Sequence, residues 1–159
     1  MADEHMDYDH ITDTTRLERA TAYRILRAGR LMRIHLQKVL HQQGTDLSPE
    51  QWMLLFRLNS QDGCLTTELA DPLLQDFPNV SRLVNGLARQ HLVERRADPD
   101  DGRRSRVYMT PAGQELVERM LVAVVAIRRR LFEDIPAEDV GTLITVLDRI
   151  EQRILEELD

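Results

Sequence analysis

Along residues 16–42 the apolar positions Ile25, Ala28, Met32, His35/Leu36 and Val39 recur at three- and four-residue spacing, which predicts a helix. Gly44 follows as a stop signal. "LSPEQW" at 47–52 opens a second helix. Ser48 can cap it, Pro49 suits its first position, Gln51 completes a capping box, and Leu47 and Trp52 stand at hydrophobic-staple spacing. That helix is predicted to reach about Leu58. "NSQDGC" is turn chemistry, Leu65 begins a short segment, and a third helix is predicted from about Thr67 to Leu73. After a break at "LQD", Asp76 is the expected cap of another helix. Pro78 falls in its first turn, where a missing N–H costs little, and Val80, Leu83, Val84 and Leu87 line one face.

Beyond His91 the period shortens. "LVERRA" and "SRVYMT" are β-branched and alternating, and "DPDDG" stands between them, so a hairpin is predicted. Thr110 and Pro111 then form a cap and first position for a long helix through about Phe132. A last helix begins near Pro136. Its Val140, Leu143, Leu147, Ile150 and Ile154 alternate steps of three and four, the seam of a helix that packs lengthwise on another. The predicted fold class is mostly α with a small β wing. Two short helices around a tight break, then a hairpin, make a winged helix-turn-helix at about 48–110, flanked by helices at about 16–42 and 111–158.

Composition leaves this picture intact: 159 residues, 42% hydrophobic and 30% charged, are ordinary for one domain. Residues 1–15 read as a flexible acidic tail and 16–159 as a single domain. The single cysteine, Cys64, excludes an intramolecular disulfide and a multi-cysteine metal cage. No charged n-region and apolar h-region open the chain, and no apolar run approaches the ~20 residues of a membrane span. A cytoplasmic location without membrane association is expected. His5, His10, His35, His41 and His91 form no catalytic or metal-binding pattern, and there is no Gly-rich phosphate loop. Neither an enzymatic activity, nor a metal, nor a cofactor is therefore expected.

Charge changes the picture more. The formal net charge is -6, yet it is spread unevenly. Residues 1–15 and 133–159 are acidic, whereas 82–106 hold Arg82, Arg89, Arg95, Arg96, Arg103, Arg104 and Arg106 against Glu94, Asp98, Asp100 and Asp101. Such an excess fits a face built for a polyanion, and equally a solvated surface that uses arginine. Its position beside a helix-turn-helix favours double-stranded DNA as the partner. Asn79, Ser81, Arg82 and Asn85 are the expected donors on the exposed face of the second helix, for phosphates and base edges.

"ELA" at 68–70, "VSRLVNGLARQHLVERR" at 80–96 and "DGRRSRVYMTPAG" at 101–113 resemble the MarR family of bacterial transcriptional regulators, over roughly residues 16–158. Asp101, Arg103, Met109, Thr110 and Gly113 match that family's wing signature. The resemblance implies a homodimer whose terminal helices interdigitate, two winged helices facing a pseudo-palindromic operator, and repression relieved by a ligand. Arg103 takes the wing arginine position for the minor groove, Asp101 is an acceptor that orients a guanidinium, and Arg104 or Arg106 meets phosphate. A pocket between the dimer helices and the DNA-binding lobe is also implied, with Tyr23, Arg27, His35 and Trp52 as candidate lining for a small aromatic or anionic effector. The chain departs from the family at "DPLLQ" (71–75): Pro72 is expected to kink or shorten the first helix of the motif, and Leu74 fills the usual glycine position. Two other readings stay open, a winged helix used for protein contacts and a redox-responsive regulator acting through Cys64.

Overall fold

The computed structural model describes residues 20–70 and 77–158. Those residues form helices α1 (Thr21–Gln42), α2 (Pro49–Ser60), α3 (Phe77–Arg89), α4 (Pro111–Phe132) and α5 (Ala137–Leu158), with strands β1 (Cys64–Leu65), β2 (Val93–Ala97) and β3 (Ser105–Met109). The chain divides into two compact units, Met1–Glu118 and Arg119–Asp159, with the division falling within α4.

In the first unit, local chemistry sets the element ends. Gly44 adopts φ +74°, a conformation cheap only for glycine, just past the end of α1. Ser48 Oγ accepts from Gln51 N–H at 3.1 Å while Gln51 Oε1 accepts from Ser48 N–H at 3.0 Å, so the capping box is closed, and Pro49 occupies the first turn. Leu47 and Trp52 are both buried. The predicted helix at Thr67–Leu73 is not seen in its described part. Residues 66–70 are hydrogen-bonded turns, with Leu69 N–H donating to Leu65 O and Ala70 N–H to Thr67 O. The expectations for Pro72, Leu74 and the Asp76 cap, like the acidic tail, lie outside the described residues.

The sheet is antiparallel in the order β1-β3-β2, so the hairpin gains a third strand through Cys64↔Val107 and Leu65↔Arg106. Val80, Val84 and Leu87 of α3 are fully buried, as are Leu54, Leu55 and Leu58 of α2 and Val107 of β3. Burial at three- and four-residue spacing on α3 fixes which of its faces is left to solvent.

The wing signature has a packing reason at its end. Thr110 Oγ1 donates to His91 O at 2.6 Å and accepts from Gly113 N–H at 3.1 Å, capping α4. A Cβ on Gly113 would lie 2.1 Å from Leu92 O, which itself accepts from Thr110 N–H at 3.1 Å. Neither side can yield cheaply, since both are backbone. Gly113→Ala is expected to cost about 1–3 kcal/mol, the usual range for overpacking a tight site, and to lower the thermal midpoint. An unchanged melting curve would show that the start of α4 can move.

The second unit holds most of α4 and all of α5, and α5 has no buried residue. Its predicted seam is largely uncovered: Leu143 is 50% and Ile154 51% accessible, while Val140 and Ile150 are half-buried. Val125, Phe132, Val140, Leu143, Ile144 and Leu147, with Arg128 and Arg129, line a groove of about 560 Å³ between the two helices. On α1 likewise, only Val39 and Leu40 are buried, while Met32 of the predicted stripe is 50% accessible. Among the described residues no helix is long and apolar enough to cross a membrane.

Candidate nucleic-acid interface

With Val80, Val84 and Leu87 inward, Arg82, Asn85 and Arg89 fall on the solvent side of α3 at positions i, i+3 and i+7 and are all exposed. Among the described residues Arg82 Nε makes only a long contact to Pro78 O, 3.4 Å. Ser81 is half-buried and its Oγ accepts from Arg95 Nη2 at 3.1 Å. Asn79 is half-buried and already engaged. α3 is thus anchored on one side and presents three donors, Arg82, Asn85 and Arg89, on the other.

The wing sorts its arginines by partner. Asp98, 5% accessible, sits at the base of the turn. Its Oδ1 accepts from the N–H groups of Asp100 (2.8 Å) and Asp101 (3.3 Å), and its Oδ2 lies 2.8 Å from Arg106 Nε. Arg106 Nη1 also donates to Gly63 O at 2.9 Å, so this guanidinium, expected beside a phosphate, is committed inside the fold. Arg96 pairs with Glu94 and lies 4.5 Å over the Tyr108 ring centroid. Asp101 accepts from Arg103 N–H at 3.0 Å and pairs with Arg104 Nε at 3.3 Å. The guanidinium that Asp101 orients is therefore that of Arg104. Arg103 stands exposed, and its side chain has no partner among the described residues. Leu65, Thr66, Phe77, Arg103, Arg104 and Ser105 line a cleft of about 300 Å³, which joins the start of α3 to the wing tip.

Backbone hydrogen bonds from Asp100 hold the Asp98 carboxyl below the usual carboxylate range; burial opposes this, and Arg106 adds to the depression. A depressed folded value means that the carboxylate stabilises the wing above its unfolded value, near 3.9, and that this stability is lost as pH falls through the folded value. Amide exchange at Asp100 and Asp101 is expected to quicken in that acid window, and Asp98→Asn is expected to abolish the pH dependence. Exchange that tracked pH identically in parent and variant would assign the effect elsewhere.

Of the other expected residues, Tyr23 and His35 on α1 are half-buried, Arg27 is exposed, and Trp52 on α2 is buried, 6.3 Å from the Phe56 ring. The structure shows no feature that brings these four together. Cys64 is buried, its Sγ donates to Gln61 O at 3.0 Å, and desolvation raises the thiol's pKa. That is the setting of an unreactive thiol rather than a sensor. Among the described residues no cluster of three His, Cys, Asp or Glu could hold a metal. Sequence reasoning missed Arg95, which reaches from β2 to α3. Strand alternation was the available signal, since Arg95 shares a face with buried Val93.

Residues 45–104, from the turn before α2 to the wing tip, match the MarR family. The HTH-type transcriptional repressor IacR of Pseudomonas putida is 23% identical over 144 residues, spanning 91% of this chain and 85% of the repressor. A probable transcriptional regulator from Pseudomonas aeruginosa shares the fold with a TM-score of 0.75 at 29% identity, covering 85% of this chain and 99% of that one. Staphylococcus aureus MepR, solved as a DNA complex, gives 0.76 at 24% identity over 86% of this chain and 98% of its own. The exposed donors of α3, the arginine wing beside them and these likenesses agree: over residues 45–104 the chain matches the MarR family, and its fold is the winged helix-turn-helix seen in that family's transcriptional regulators.

Proposed function

We propose that the protein is a cytoplasmic homodimeric repressor that holds a pseudo-palindromic operator and releases it when a small effector binds. The observation that carries this reading is the pairing of two basic surfaces: α3 offers the exposed Arg82 and Asn85, and the wing offers an arginine, Arg103, whose side chain no described residue pairs with. Arg82 and Asn85 face base edges, Arg103 enters the minor groove and Arg104 meets phosphate, while Asn79 and Ser81 serve the backbone. Asp101 and Arg106 hold the wing in shape. The uncovered apolar residues of α1 and α5 support the dimer, because a solvated seam of this kind is stable only against another helix. Tyr23 and Arg27, one helical turn apart, remain the candidates for an aromatic or anionic effector, with His35 two turns further along α1 from Arg27 and Trp52 as packing support.

A gel-shift and footprint titration on the DNA upstream of the protein's own gene tests the reading, with and without phenolic acids. The expected footprint is two-fold symmetric over roughly 16–20 base pairs, because paired recognition helices address half-sites one helical turn apart. An asymmetric footprint counts against the two-fold dimer. Absence of any duplex binding favours the protein-contact reading, and a footprint indifferent to every acid removes that class of effector.

A further inference from the structure

Arg95 lies on β2 opposite Val107 of β3, and its guanidinium bridges the recognition helix and the wing. Nη2 donates to Ser81 Oγ at 3.1 Å and to the Ser81 carbonyl at 3.4 Å, and Nη1 donates to Ser105 Oγ at 3.2 Å. Nε is buried without a partner. Among the described residues no carboxylate lies within ion-pair distance of this arginine, although Arg96 and Arg106 on the same hairpin each have one. A half-buried cation satisfied only by neutral oxygens keeps its field, and an anion placed nearby would be held by it.

The two serines give that field a direction. A hydroxyl carries one hydrogen and two lone pairs, so an oxygen that accepts from a guanidinium still has its hydrogen to donate. Neither Ser81 nor Ser105 spends that hydrogen on an acceptor among the described residues, and both side chains are only half-buried. We propose that Arg95 is a positioning residue that turns the Ser81 and Ser105 hydroxyls into paired donors for the DNA backbone, one from the recognition helix and one from the wing. Backbone phosphate completes the cluster. Arg95 fixes the spacing of the two elements and polarises both O–H groups without touching the phosphate itself. The inference rests on α3 and the wing facing a duplex.

Fluorescence anisotropy on the full chain tests it, using the footprinted duplex and a mixed-sequence duplex at low salt, with thermal unfolding followed in parallel. Ser81→Ala is expected to weaken both duplexes by the same factor, roughly three- to tenfold for a lost charge-assisted donor, because phosphate contacts carry no sequence information. Arg95→Gln is expected to lose at least as much. The diagnostic measurement is the double variant: with Arg95→Gln in place, Ser81→Ala should cost almost nothing further in binding, and Ser105→Ala should behave alike. That coupling should be larger in binding than in unfolding. Losses that multiply independently overturn the proposal, and so does coupling confined to thermal stability, which would leave Arg95 a brace alone. Should Arg95→Gln fold poorly, Arg95→Lys supplies the same cycle, since it keeps the charge and reaches one serine. A parent protein that binds neither duplex overturns the DNA-facing reading and this inference with it, whereas a parent that binds and variants that do not couple overturn this inference alone.

Discussion

Leu147→Glu is expected to abolish the dimer and, with it, tight operator binding. Leu147 lies in the exposed seam of α5 and lines the apolar groove of the second unit. In a two-fold assembly the substitution places two carboxylates where leucines were to be covered. An unpaired charge taken from water costs several kcal/mol, and about 1.4 kcal/mol is tenfold in a dissociation constant. A rise of at least ~1,000-fold in the dimer dissociation constant is the expected scale. A monomer also engages one half-site alone and forfeits the avidity of the pair, roughly 100-fold or more. Light scattering and operator titration measure the two consequences separately, and circular dichroism follows folding. A parent that is monomeric at micromolar concentration, or a variant that stays dimeric, would sink the dimer reading. A well-folded monomeric variant would show that folding does not require the partner.

Arg103→Ala is expected to cost about 1–3 kcal/mol in operator binding if its guanidinium reads the narrow groove. It should leave folding and assembly intact, since an exposed turn side chain without a partner among the described residues adds little to stability. If each Arg103 also neutralises one phosphate, the log–log salt slope of the dimer should shrink by about two. Arg106→Ala makes the contrast. Its guanidinium holds Asp98 and Gly63 O, so that variant should lower the melting temperature as well as the affinity. Equal operator affinity and an unchanged slope for Arg103→Ala would remove the wing tip from recognition.

Much of the architecture was readable because its signals are local. The Ser48–Gln51 box, Gly44 after α1, the Thr110–Pro111 start of α4 and the alternation of the hairpin each depend on groups within about four residues of one another. The helix predicted at Thr67–Leu73 was not found over its described residues: the chain forms hydrogen-bonded turns instead, directly after β1 has paired Cys64 and Leu65 with β3.

By itself the sequence determined the order of elements apart from the segment after β1, the inward face of α3, the basic character of the wing and the apolar seams of α1 and α5. Those follow from periodicity and composition, which no neighbour in space is needed to interpret. Tertiary structure alone decided which arginine does what. Seven arginines within 82–106 look alike as letters, but the β2–β3 register and the docking of α3 give them different partners. Arg106 reaches Gly63, 43 positions away, Arg95 reaches Ser81, 14 away, and Asp101 takes Arg104, leaving the side chain of Arg103 without a partner among the described residues. A guanidinium's role is set by the acceptors within hydrogen-bond distance, and that distance is a property of the fold rather than of spacing along the chain.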